Sequence, residues 1–341
     1  MNKVFYLLIL ITCFSCTYNS EKEKYQDERN NIVNVHNRVK EILIDDVLIS
    51  FQSAIYMIDN YFIIKDYRSL DNFLHVFDKN NFSYITSVIP RGQGPNEITI
   101  PGPIVFNETM RKLYFTDFGK YKIFSYDLDS LLTNSLYYPN IKMNINDKKV
   151  PGFYYYINDT LSIGTILEAI GISNFKQTIA KWNMNTGNIE FMKYEHPTAE
   201  VKKSISFAVS HEHNIYVTCY HHHDLITICN FDGELKCNIY GTKWDKKKPQ
   251  KAISYFNGIV FLNDKFITTY NGKETFIDTD GVLATSAPTK FIVFDINGNY
   301  IKTIETEYSI NTFCYDKENN RIIMNLDDEI QFAYLELDGI V

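Results

Sequence analysis

The sequence predicts an all-β fold, a six-bladed β-propeller with four antiparallel strands per blade, and three observations lead there. A short apolar run ending in a polar or acidic turn recurs six times, as VFDKNN, SYDLDS, KWNMNTG, ICNFDG, VFDING and YLELDG. Aligning Asp78, Asp127, Asn183, Asn230, Asp295 and Glu336 gives steps of 49, 56, 47, 65 and 41 residues, each long enough for four strands and their turns. The composition agrees: 15 % of the residues are aromatic, with 25 Tyr and 24 Phe, which suits many half-buried strands and excludes a disordered chain. At 341 residues the chain exceeds the usual single core, but a propeller grows by adding blades, so one closed ring is the simpler organisation.

Residues 1–15 read as a signal peptide, with Lys3 in a short basic start and an apolar stretch from Val4 to Ile11 that is too short to span a membrane. Ser15-Cys16 resembles the lipobox of bacterial lipoproteins, which makes Cys16 the expected lipidation site; Cys13 follows the bulkier Thr12 and fits less well. Residues 16–37 are polar, contain Glu21-Lys22-Glu23-Lys24, show no strand period and are expected to form a flexible tether to the propeller at 38–341. The implied address is the cell envelope, as an outer-membrane lipoprotein facing the periplasm or the surface.

Each blade can be read in turn. Blade 1 takes Ser53 to Ile58, Tyr61 to Lys65, Phe73 to Phe77 and Phe82 to Ile89; its runs are nearly continuous because neighbouring blades cover both faces of each sheet. Blade 2 starts at Ile104 and ends in a weak outer strand near Ser135 to Met143. Blades 3 and 4 carry FYYYIND, TLSIGTI, KQTIAKW, NIEFMKY and SISFAVS, NIYVTCY, LITICNF, LKCNIYG. Blade 5 contains a long connection from Asn271 to Pro288, and blade 6 stops at Val341 one strand short. An open edge invites aggregation, so the missing outer strand is expected from Val39 to Ile44 at the other terminus.

Over about residues 40–341 the chain resembles the TolB-like and NHL-like six-bladed propellers, in particular lipoproteins of that type from Gram-negative gut anaerobes. Arg91-Gly92-Gln93-Gly94-Pro95-Asn96-Glu97 is similar to that group's Gly-x-Gly-Pro-Gly-Glu connection, with Asn96, which tolerates positive φ, in place of a glycine. The strand, Asp, basic residue, strand pattern of KDYRSLDNFLHVFD and TDFGKYKIFSYD is similar to the NHL core. The resemblance implies the fold and leaves the activity open.

No GxSxG, HExxH, P-loop or EF-hand pattern occurs, and Arg91 to Glu97 is not followed by a phosphate-binding helix. His221-His222-His223-Asp224 with His211 and His213 is the densest metal-capable cluster, but alternate residues of a strand face opposite ways and the two groups belong to opposite strand ends, so solvated turn histidines are expected and no metal or other cofactor. Cys219, Cys229, Cys237 and Cys314 have no metal spacing; Cys219 and Cys229 lie on one hairpin, and free thiols are expected.

In a propeller, the turns between second and third strands and the connections between blades share one rim. Arg68, Arg91, Lys120, Lys243, Lys246, Lys248 and other lysines fall there, while Asp59, Asp78, Asp127, Asp232 and others fall on the opposite rim, so a net charge of −7 is expected to conceal one basic and one acidic rim. The sequence reading is therefore a monomeric envelope binding or scaffolding module. Its basic rim, with Arg68, Arg91, Tyr220, His221, His223, Trp244, Lys246 and Lys248, would meet an anionic glycan or protein and no nucleic acid. The alternative is an envelope lyase or hydrolase of acidic sugars using His221, His223, Tyr220 or Arg91.

Overall fold

The computed structural model describes residues 22–134, 136–146, 149–169, 175–197, 204–245, 253–279 and 282–341. Its repeating unit begins with a turn. After the third strand of five blades, an Asp or Asn side chain accepts backbone N–H groups two to four residues ahead: Asp78 from Asn80 at 2.8 Å, Asp127 from Ser130 at 2.9 Å, Asn183 from Asn185 at 2.9 Å, Asn230 from Asp232 at 3.0 Å and Asp295 from Asn297 at 2.9 Å. The sequence repeat is thus a repeat of side-chain-held turns. The turns between first and second strands use left-handed residues instead, with φ of 54° at Asp59, 51° at Asn214, 54° at Asn263 and 45° at Asn320.

These turns fold the chain into six antiparallel sheets of four strands each. Blade 1 comprises Ser53–Ile58, Tyr61–Asp66, Asn72–Asp78 and Tyr84–Pro90. Blade 2 comprises Pro101–Asn107, Lys112–Asp117, Lys122–Asp127 and Asn140–Asn144, and blade 3 Lys149–Asn158, Leu161–Ala169, Phe175–Trp182 and Ile189–Phe191. Blade 4 comprises Ile205–Ser210, Ile215–Tyr220, Leu225–Asn230 and Leu235–Tyr240, and blade 5 Ile253–Leu262, Lys265–Glu274, Lys290–Asp295 and Tyr300–Glu305. Blade 6 comprises Ile310–Asp316, Arg321–Leu326, Phe332–Glu336 and, from the other end of the chain, Lys40–Glu41.

Each interface between consecutive blades holds its own apolar cluster, six in all, and the sixth joins blade 6 to blade 1 through Ile323, Phe332, Phe62 and Ile55. That closes the ring. Strands covered on both faces, such as Ile215–Tyr220 and Arg321–Leu326, are buried at every position, which is why period-2 alternation is faint in the sequence.

The expected closure is present: Tyr334 pairs with Lys40 and Ala333 with Glu41, and Ile42 N–H donates to Phe332 O at 2.8 Å. The expected tether is not what the described residues form. Glu23–Tyr25 adds a parallel strand to the outside of blade 4 and Ile32–Asn34 one to the outside of blade 5, so residues 22–41 are a strap around three blades. Backbone pairing needs no apolar pattern, which is why a polar segment could be mistaken for a linker. Midway along it, Arg29 Nη2 donates to Asp224 Oδ1 at 2.9 Å and its guanidinium lies 4.8 Å from the Tyr270 ring. Two further departures are a helix, Leu128–Thr133, capped by Asp127, and a hairpin of Phe276–Thr279 and Val282–Thr285 inside the long blade 5 connection.

The Asp224 side chain is fully buried, so removing its guanidinium partner strands a charge. Arg29→Ala should lower unfolding free energy by about 3 kcal/mol in urea titrations, whereas Lys40→Ala, which breaks the half-exposed Lys40–Glu336 pair, should change it by less than about 1 kcal/mol. Deleting residues 31–45 should abolish the single cooperative melting transition.

Candidate functional site

We call the rim that carries the turns between second and third strands and the connections between blades the upper rim. Two buried carboxylates explain how it is built: Asp66 accepts from Ser50 N–H at 2.9 Å and Arg68 N–H at 2.8 Å, and Asp117 accepts from Thr99 N–H at 2.9 Å, Ile100 N–H at 3.0 Å and Gly119 N–H at 2.9 Å. Each carboxylate staples a turn to the connection beside it, and the basic residue that follows completes the job. Arg68 Nε donates to Gln52 Oε1 at 2.6 Å and Lys120 Nζ to Glu97 O at 2.6 Å.

Within the ring the innermost strands enclose a channel of about 2120 Å³ whose lining runs from Glu108 and Asp159 at the lower end to Gln52, Tyr67, Thr275 and Asp327 at the upper. Its wall is aromatic and hydroxylic, including Tyr56, Phe153, Tyr155, Phe207, Phe256, Phe313, Gln177, Ser204, Ser206 and Asn257. Among the described residues no Lys or Arg lines it.

His221 stands at the upper mouth. Ser206 Oγ donates its one proton to the carbonyl oxygen of Asn257, so His221 Nε2, 2.8 Å away, must be the donor to Ser206. His221 Nδ1 is then the acceptor for the Ser204 hydroxyl at 2.7 Å. Burial, with a smaller contribution from neighbouring His222, pushes the His221 pKa down to about 4, so the ring is neutral and the relay Ser204, His221, Ser206, Asn257 has a fixed direction.

Lys65 lies behind this wall, fully buried. Its Nζ donates to Gly102 O at 2.8 Å and sits 4.4 Å from the Tyr67 ring and 5.6 Å from the Tyr56 ring. Desolvation lowers its pKa to about 7. The Tyr56 and Tyr67 phenols are hydrogen-bonded to each other in front of it, and burial raises both pKa values, that of Tyr67 to about 12.

Of the described residues expected to share the binding site, only His221 lines the channel. Tyr220 points the other way, as strand alternation requires, into the core between blades 3 and 4. His223 faces Trp244, with ring centroids 5.9 Å apart, and Trp244 packs on Tyr240 at 4.8 Å. Arg91 donates to Ser69 O at 2.9 Å and lies over Phe73, part of a turn in which Glu97 accepts from Gly94 N–H at 2.6 Å. The left-handed residue beside that turn is Ile89, with φ 66°, not Asn96. Lys246 and Lys248 lie outside the described residues. His211 and His213 sit in the lower turn that precedes Ile215–Tyr220, at the opposite end of that strand from His221, and among the described residues no three His, Cys, Asp or Glu side chains could hold a metal.

The four described cysteines, Cys219, Cys229, Cys237 and Cys314, are free thiols, as expected. Cys219 pairs across from Ile226 and Cys229 from Tyr216, an odd offset that puts the two sulfurs on opposite faces of the sheet. Burial raises both, Cys219 to about 12 and Cys229 to about 11, which makes them poor nucleophiles.

Among the described residues the rims are not separated by charge; Lys148, Lys202, Lys203, Lys247 and Lys251, also expected on the basic rim, lie outside them. Of the described upper-rim cations, Arg68, Arg91, Lys120 and Lys243 are held by backbone or amide oxygens, Lys243 by Gly272 O at 2.8 Å, Lys149 meets the Glu168 carboxylate at 3.6 Å, and Asp71, Asp245, Asp327, Asp328 and Glu329 share that rim. The lower rim interleaves cations with its acids: Arg111 bridges Asp59 and Asp129, Lys142 meets Asp159 at 3.2 Å and Lys181 meets Asp232 at 3.0 Å. Counting one sign per rim left out these strand-end partners. Tyr56, Phe153, Gln177, Ser204 and Ser206 are among the channel residues that sequence reasoning did not single out; no local pattern marks them, because the wall is assembled from strands of different blades.

The chain belongs to the 6-bladed beta-propeller family DUF5128, whose profile matches residues 44–275. Among solved structures it is similar to a DUF4221-family member from Bacteroides vulgatus, with a TM-score of 0.58 at 10 % identity over 88 % of this chain and 98 % of that one. It is also similar to a Bacteroides fragilis protein named for export, with a TM-score of 0.55 at 10 % identity over 92 % and 98 %. At that identity the likeness establishes the fold alone. No curated protein matches the chain.

Lys65 generates a pH test. Unfolded chains bind its proton up to the ordinary pKa of 10.5, whereas the folded protein releases it near 7, so stability should rise with pH across that window. Between pH 7 and 9.5 the gain should be about 3 kcal/mol. Lys65→Met should flatten that slope and match or exceed the parent's stability at pH 7, as read from urea midpoints.

Proposed function

We propose that this member of the six-bladed propeller family is an exported, lipid-anchored binding protein of the cell envelope. On this reading the upper channel mouth is its ligand seat, held facing away from the membrane. The observation that carries the proposal is the course of the strap. Glu23–Tyr25 runs parallel to Leu235–Tyr240, which rises from the lower rim to the upper, so the chain reaches the propeller from the lower side of blade 4. Only six residue steps lead from Cys16 to Lys22, whose carbonyl already accepts from Asn238 N–H at 2.7 Å. Fully extended they reach about 20 Å. A lipid on Cys16 would therefore keep blade 4's lower edge near the headgroups and turn the mouth outward. The name of the Bacteroides fragilis neighbour supports export.

A large open cavity with convergent polar groups is the expected form of a ligand site, and both ring nitrogens of His221 are engaged by serine hydroxyls of the wall, which suits a fixed binding surface. A second reading, an anionic protein or glycan held at the upper rim, is favoured by the lysines at 246–248. Under it, Lys246→Gln with Lys248→Gln would abolish a salt-dependent component of binding.

In the native host, incorporation of a fatty-acid label should disappear in Cys16→Ala. On purified lipoprotein in vesicles carrying a headgroup quencher, a fluorophore at Glu212→Cys on the lower rim should be quenched strongly and one at Asp327→Cys at the mouth should not. Equal quenching at both positions would refute the orientation, and unchanged label in Cys16→Ala would refute the anchor.

A further inference from the structure

We infer that the upper mouth takes an uncharged, hydroxyl-rich ligand, a neutral oligosaccharide, and that Phe153, Ser204 and Gln177 are its principal contacts. This rests on the mouth being the ligand seat and adds the chemistry of what sits there.

The wall decides the charge class first. Among the described lining residues there is no cation, and the lining carboxylates, Asp327 at the top and Glu108 and Asp159 at the far end, would repel an anion. A cationic ligand would meet only Asp327 at the mouth. What the mouth offers in quantity is neutral: hydroxyl, amide and aromatic side chains.

The relay through His221 then specifies a hydrogen-bonding pattern. Because the Ser204 proton is committed to His221 Nδ1, Ser204 Oγ offers the channel only lone pairs. Gln177 Oε1 accepts from the N–H of Ile205, the very next residue, at 3.4 Å, which leaves its Nε2 amide as the donor. A fixed acceptor and a donor thus sit side by side on one wall. A sugar hydroxyl, donor and acceptor at once, matches that pair, and two vicinal hydroxyls match it better.

Aromatic platforms complete the seat. Phe153 and Phe51 both line the mouth, yet these residues are 60 % and 64 % exposed, an unfavourable state for large apolar side chains unless a ligand covers them. The C–H face of a pyranose ring is apolar and its rim is hydroxylic, so stacking on Phe153 while the rim meets Ser204 and Gln177 uses both chemistries. Tyr155, packed edge-on against Phe207 at 5.3 Å, stiffens the wall between blades 3 and 4 beneath them.

The full-length mature protein would be tested on immobilised neutral polysaccharides (glucans, mannans and xylans) and acidic ones (polygalacturonate and chondroitin sulfate), followed by calorimetry with oligomers of whatever is retained. The expected result is retention of a neutral glycan with Kd changing less than about twofold between low and high salt, since no ion pair forms. Phe153→Ala and Ser204→Ala should each weaken binding about tenfold, one bond's or one stacking face's worth, without lowering the melting temperature of the exposed-site variant Phe153→Ala. Retention of acidic glycans only, or of no neutral glycan, overturns the ligand class; if Phe153→Ala then still abolishes binding of the acidic one, the mouth itself survives as the seat. A neutral glycan whose affinity ignores both substitutions overturns the mouth.

Discussion

Everything in this molecule depends on ring closure at blade 6. Three residues close it: Lys40, Glu41 and Ile42 supply the outer strand that Phe332–Glu336 would otherwise leave open. The seam with blade 1 is then sealed by side chains. Asn325 Nδ2 donates to Ser53 O at 2.9 Å, Arg321 Nη2 donates to Lys79 O, and Phe62 meets Phe332 edge-on at 6.4 Å. Without closure the six inter-blade cores become five and two sheets expose apolar faces, and the innermost strands no longer surround a channel. The strap extends this logic outward, because backbone pairing along blades 4 and 5 brings the closing strand to its place already ordered, which reduces the entropy lost on closing the ring.

What was legible in the sequence was whatever is local. Blade count and strand order follow from Asp78, Asp127, Asn183, Asn230 and Asp295, because an Asx turn is written in two to four adjacent residues. Closure by the N-terminal segment was legible through topology, since a missing strand must be found somewhere. The strap's first half was not: Glu23–Tyr25 and Ile32–Asn34 pair through backbone groups that any residue carries, and Arg29 finds Asp224 across 195 positions. Asp127 was recognised as a turn residue and is also a helix cap, a distinction that depends on Leu128 and Leu131 finding a core to enter.

The site was legible to a much smaller degree, for a geometric reason. Tyr56, Phe153, Ser206, Phe256 and Phe313 come from five innermost strands, so the wall they build has no sequence signature. The His221-His222-His223 run drew attention as a cluster, but its members part: His221 and His222 both border the channel, His222 donating to Ile253 O at 3.2 Å, and His223 joins the Trp244 group. Charge was misleading in the same way. Lys120, Arg68 and Arg91 follow turn residues because they tie carbonyls and amides of the rim together, and a cation already occupied by the protein has little left for a partner.

Strap and mouth meet at one residue. Asp224 ends the His221–Asp224 turn, and its carboxylate accepts from Arg29, from the Tyr270 hydroxyl at 3.0 Å and from Lys243 N–H at 3.0 Å, so blades 4 and 5, their connection and the strap share a single buried anchor. Gly241 packs so tightly beside it that a Cβ there would fall 2.0 Å from Asp224 Oδ1. The turn that sets His221 against Ser204 is therefore held by a side chain arriving from outside the ring. Arg29 makes no contact with the channel, yet it stabilises the loop from which the channel's most constrained hydrogen-bond relay begins. Ring closure and the shape of the mouth are in this respect one structural problem, solved by the same polar segment of chain.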